Sequence, residues 1–114
     1  MTREGVGAAC LALPATTLAH SFGEDHDVYK VGDKMFAIVG GLGGLSFKTS
    51  EIAYEVLTGE GRARPAPYMA RARWVHLDTP DAWPDEELAD HLKQAHALVA
   101  AKLTLKARAE LGLD

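Results

Sequence analysis

Seven cations and three ring-bearing residues define the chemistry open to this sequence. Lys30, Lys34, Lys48, Arg62, Arg64, Arg71 and Arg73 are of the type that neutralises phosphate oxygens. Tyr68, Trp74 and His76 add rings for stacking or apolar contact. Residues 62–73 hold four arginines and no acid, whereas residues 78–90 hold six acids and no base. Such polarisation lets a basic patch coexist with a formal net charge of −4. Either run is also what a plain solvated surface looks like. The acidic total argues against a dedicated, tight DNA-binding domain.

Other chemistries find less in the sequence. Gly40-Gly41-Leu42-Gly43-Gly44 lacks the order of a phosphate loop and falls between strands, so it reads as a hairpin loop. Cys10 lies among Ala and Leu, the setting of a buried structural thiol rather than a nucleophile. There are five histidines. His91 and His96 diverge on a helix; Glu87 and His91 share a face and read as a surface pair before a metal site. The acids at Glu24, Asp25 and Asp27 lack calcium-loop spacing. No nucleophile-elbow motif is present, and no carboxylate pair sits in an apolar setting. The residues point to binding without catalysis and without a cofactor.

The elements that must position these side chains follow from pattern. Residues 4–13 read as a short helix closed by Pro14. Residues 28–31 and 34–39 read as strands joined by Gly32-Asp33, a two-residue hairpin signal. A third strand covers 45–48, and Ser50 caps a helix over 51–58 with Gly59 at its close. Residues 60–72 read as an irregular loop, and 74–78 as a further strand. Pro84 opens the longest helix, reaching about Leu103, with Leu88, Leu92, Ala95, Val99 and Leu103 as one apolar stripe. Asp85, Glu86 and Glu87 at its start, and Lys102 and Lys106 near its end, suit the helix dipole. Together these elements predict one α+β domain over 1–114, an antiparallel sheet with helices packed on one face.

Strand parity then sorts the candidate residues. If Leu45, Phe47, Val75 and Leu77 face the helices, then Ser46, Lys48, Trp74 and His76 lie on the opposite face. Lys30 joins them if Tyr29 and Val31 point inward. That face is either an open binding surface carrying Trp74, or the 60–72 loop folds over Trp74 and makes a second core.

Composition is compatible with such a domain. The 114 residues are 47% hydrophobic and 25% charged, an ordinary globular mix. Apolar stretches fall well short of the about 20 residues that span a bilayer. The acidic Met1-Thr2-Arg3-Glu4 start does not read as a signal peptide. One cysteine excludes an internal disulfide framework. A cytoplasmic monomer is expected.

Several blocks in order resemble one family. They are Leu13-Pro14-Ala15-Thr16-Thr17, Ser21-Phe22-Gly23-Glu24-Asp25-His26 and Tyr29-Lys30-Val31-Gly32-Asp33-Lys34-Met35-Phe36-Ala37. Then come Leu45-Ser46-Phe47-Lys48, Pro67-Tyr68-Met69, Arg73-Trp74-Val75, Pro84-Asp85-Glu86-Glu87-Leu88 and Val99-Ala100-Ala101-Lys102-Leu103. From about Ala8 to Leu103 the chain is similar to the MmcQ/YjbR family. The resemblance implies a CyaY-like α+β fold, related to frataxin's architecture, in small bacterial proteins. It also implies DNA binding through a double-wing arrangement of sheet and hairpins, with no catalytic residues. The chain departs from the family pattern at four places. Ala15 stands where glycine is usual, Ser21 where proline is, and Ala70 where asparagine is; Ala95-His96 replaces a usual Ser-Tyr. Ala70 and Ala95 are expected to remove polar groups from the surface the family uses.

The leading expectation is therefore DNA contact through the seven cations, with Tyr68, Trp74 and His76 among them. A protein-interaction module on the same sheet face is the rival. A frataxin-like metal carrier, using acids near Glu24–Asp27 or Asp85–Asp90, is the third reading.

Overall fold

The computed structural model describes residues 1–113. Its elements run α1 (Arg3–Leu11), β1 (Thr16–Ala19), β2 (Asp27–Val31), β3 (Lys34–Val39), β4 (Leu45–Lys48), α2 (Glu51–Gly59), β5 (Arg64–Pro65), β6 (Trp74–Leu77), α3 (Asp85–Ala100) and α4 (Leu105–Glu110). The six strands form one antiparallel sheet in the order β1-β2-β3-β4-β6-β5. None of the described helices is long and apolar enough to cross a membrane.

Local chemistry accounts for the elements. Thr2, Ser50 and Thr104 each cap a helix, accepting from the backbone N–H three residues on. Gly32 takes φ +64° at the β2–β3 turn, where a Cβ would also press on Leu103 at 3.2 Å. Between Tyr29↔Ala37 and Lys30↔Met35 the ladder slips by one, leaving Phe36 as the extra residue of a bulge. Phe36 and Ala37 are consequently both fully buried. Phe36 meets the His96 ring edge-on, 5.3 Å between centroids.

Two cores lie on the two faces of the sheet. The larger joins Val6 and Cys10 of α1 and Leu88, Leu92, Ala95 and Val99 of α3 to Val39, Leu45, Phe47, Val75 and Leu77. Burial alone pushes the Cys10 thiol up to about 12, so the sulfur stays protonated. His96 reaches the carbonyl of Pro14 at 2.7 Å, tying α3 to the α1–β1 connection. The smaller core holds Val28, Ile38, Ala66 and Trp74, flanked by Met35 and Met69.

Several expectations change here. Residues 60–72 are not wholly irregular: Arg64–Pro65 forms an edge strand against β6, and Ala70–Ala72 makes a 3-10 turn. Thr16–Ala19 is a strand that the pattern did not suggest. The long helix stops at Ala100, because Thr104 caps a separate helix. No basic residue therefore occupies the last turn of α3, and Lys102 does not serve its dipole. Ala95 is fully buried, so its departure from the family pattern alters the core rather than a surface.

Candidate nucleic-acid interface

The sheet register divides the seven cations by end. Lys34 opens β3, Lys30 nearly ends β2, Lys48 ends β4 and Arg73 precedes β6, so antiparallel pairing gathers all four at one end. There Lys48, Arg71, Arg73 and Lys102 line one hollow of about 380 Å³, beside Ser50 and Glu51 at the start of α2. Arg73 adopts the left-handed conformation, φ +62°, and closes the 3-10 turn. Its guanidinium pairs with Glu51 at 3.0 Å and lies 5.1 Å from the Tyr54 ring centroid. The Lys48 ammonium donates to the carbonyl of Ala72. Partial burial, with Lys102 and Arg73 nearby, lowers the Lys48 pKa. Among the described residues, no acid is within ion-pair distance of Lys48, Arg71 or Lys102. Lys30 and Lys34 border a neighbouring hollow with Asp33, Phe22 and the edge of Trp74.

Arg62 and Arg64 do not join them. Arg62 grips Glu87 with both nitrogens, at 2.6 and 2.8 Å, and lies 4.2 Å over the Trp83 ring. Glu87 is thus the partner of Arg62 rather than of His91. Arg64 holds Asp78 at 3.0 Å beside His76. Each arginine keeps its carboxylate below the ordinary range through these hydrogen bonds. Both guanidiniums are committed within the fold.

Parity holds on the outer face, with one consequence reversed. Ser46↔His76 and Lys48↔Trp74 pair across β4 and β6 as expected. Yet Trp74 is only 5% exposed. The chain from Ala66 to Met69 folds back over it, with Ala66 N–H donating to the Trp74 carbonyl at 3.0 Å. The Trp74 ring is a core residue, not a stacking platform. Tyr68, in contrast, is fully exposed and sits at φ +66°.

His76 is fixed by its neighbours. Its Nδ1 lies 2.8 Å from Ser46 Oγ, and its Nε2 lies 3.4 Å from Asp78. Burial first, and Arg64 second, lower its pKa, although Asp78 opposes them. A neutral ring satisfies both neighbours when the hydroxyl donates to Nδ1 and Nε2–H points to the carboxylate. The β3–β4 loop makes room: a Cβ at Gly44 would meet the imidazole at 2.7 Å. Among the described residues no group of three or more His, Cys, Asp or Glu is placed to hold a metal.

Two members of these hollows carry no local signal in the sequence. Lys102 arrives only through the turn after α3, and Phe22 reaches the outer face only through the β1–β2 loop.

Comparison with known proteins places this geometry. The solved structure of Deinococcus radiodurans protein DR2400, family-model domain DUF419, superposes with a TM-score of 0.85 at 26% identity. The match covers 99% of this chain and 89% of that one. No curated protein matches. The YjbR family model matches residues 11–98, most of the chain including both faces of the sheet, and the chain belongs to the YjbR family.

Proposed function

We propose that this domain is a non-catalytic, cytoplasmic nucleic-acid-binding module that contacts phosphates through the cationic end of its sheet. The observation carrying this reading is the convergence of Lys48, Arg71, Arg73 and Lys102 on one hollow with a single acid, Glu51. Lys30 and Lys34 extend the positive end around the β2–β3 hairpin. The start of α2 adds the partial positive charge of a helix N-terminus. The net charge of −4 sets a modest affinity, because phosphates also meet repulsion from the rest of the surface.

Phosphate binding has a quantitative signature. Each cation–phosphate interaction removed should reduce the slope of log K against log salt by about 0.9. Arg71→Ala with Lys102→Ala should therefore flatten the slope by about twice that amount, read by fluorescence anisotropy on a labelled duplex. An unchanged slope, or no binding even at low salt, rejects the reading.

Burial of Trp74 takes that ring from both the nucleic-acid and the protein-interaction readings of the outer face.

A further inference from the structure

Toward the end of the sheet where β3 leads into β4, the outer face carries a cleft of about 470 Å³. Ile38, Met69, Phe22 and Tyr68 are among its lining residues. Phe22 is 56% exposed and Tyr68 fully so. Tyr68 is held in the left-handed region, which a bulky residue adopts at an energetic disadvantage. A fully exposed ring recovers none of that through burial. Its position makes sense as part of a contact surface.

The cleft also holds two imidazoles, each beside a carboxylate. His26 Nδ1–H donates to its neighbour Asp25 at 2.9 Å. His76 has its Nε2 3.4 Å from Asp78 and its Nδ1 2.8 Å from Ser46, so both ring nitrogens are engaged within the fold. Asp78 is neutralised by Arg64. Gly40 and Gly44 leave the rim between the two imidazoles without side chains. The site thus combines two exposed rings, an apolar lining and two imidazoles. A planar heterocycle suits a mostly apolar lining with few polar groups. Phe22 also lines the adjoining hollow of Lys30 and Lys34, which puts cations beside the cleft mouth.

We propose that this cleft receives an unpaired nucleobase of a single-stranded nucleic acid, between Phe22 and Tyr68. The adjacent phosphates then run toward Lys30 and Lys34. This rests on the phosphate-binding reading above and deepens it, since a duplex keeps its bases stacked and cannot fill the cleft.

The test uses the full chain and two fluorescein-labelled probes, an oligothymidylate strand and a duplex of the same length. Wild type should bind the strand more tightly than the duplex. Phe22→Ala and Tyr68→Ala should each weaken strand binding by roughly 5- to 150-fold, the range for one stacked base. Tyr68→Phe should restore it. Duplex affinity and the salt slope should not move. Both rings are exposed, so neither variant threatens folding. Equal binding of strand and duplex, indifferent to both rings, overturns the cleft and leaves phosphate binding standing. Equal weakening of strand and duplex by Tyr68→Ala also overturns it. Failure of both probes to bind at low salt removes the phosphate reading and the cleft with it.

Discussion

Ala15 has φ +59°, a conformation that places its Cβ against the backbone. Its family-pattern counterpart is glycine, which adopts that region without strain. Left-handed backbone costs an ordinary residue about 1–2 kcal/mol. Glycine gives back about 0.4–1 kcal/mol through its freer unfolded chain. Ala15→Gly should thus stabilise the domain by roughly 0.5–1 kcal/mol in urea unfolding. A decrease in stability would show that the strain is relieved elsewhere. His76 and His91 pose a residue-scale question of charge. Burial, the leading cause for both, lowers their pKa values in the folded protein. As pH falls through about 6.5, the unfolded chain takes up these protons first. Their contribution to stability is therefore complete above that pH and declines as pH falls toward the folded values. NMR titration of the imidazoles should give both midpoints below the ordinary histidine value. A midpoint at or above it for His76 would mean that attraction to Asp78 outweighs burial, and would contradict a neutral ring accepting from Ser46.

At the scale of elements, α3 is the test of how the layers join. Leu92 is fully buried, whereas Ile52 on α2 is 79% exposed. Leu92→Ala should destabilise the fold by about 2–5 kcal/mol. Ile52→Ala should change stability by less than about 0.5 kcal/mol. A change below about 1 kcal/mol at Leu92 would mean that the stripe faces no core. This stripe was legible because five apolar residues recur at helical spacing, and Leu103 remains buried even though the helix ends before it. Strand parity was legible for the same reason, period two in β4 and β6. What escaped had no periodic signal. β1 is four residues on a sheet edge, defined by its pairing with β2. β5 is two residues including a proline, tolerated because it lies at the other edge. The cover over Trp74 is likewise a tertiary event: parity assigned the face and left two outcomes, and the structure takes the one in which the 60–72 loop folds over the ring. Candidate cations were readable by type. Their sorting depended on the carboxylates that hold Arg62, Arg64 and Arg73, namely Glu87, Asp78 and Glu51, and on the position of each pair relative to the hollow.

The whole molecule is electrically divided, and that division makes the binding reading specific. At the end of the sheet carrying Lys30, Lys34 and Lys48, the register also brings Arg71, Arg73 and Lys102. At the other end lie Asp25, Asp27 and Asp78, each touched by Arg3, a histidine or Arg64. A polyanion approaching at random meets a net negative particle; one approaching the cationic end meets a local excess of positive charge. The four arginines of residues 62–73, alike in sequence, should then behave in two classes. Arg62 and Arg64 each neutralise a carboxylate, and both lie away from the hollow. Changing them to alanine frees Glu87 and Asp78 but takes no cation away from the phosphates. Arg62→Ala with Arg64→Ala should leave the salt slope of nucleic-acid binding unchanged, while lowering affinity slightly through two uncovered acids. Arg71→Ala with Lys102→Ala should flatten the slope. The two pairs remove the same formal charge, so net charge cannot distinguish them; only position can. Equal flattening by both pairs would mean that binding follows total charge and that the cationic end is no site.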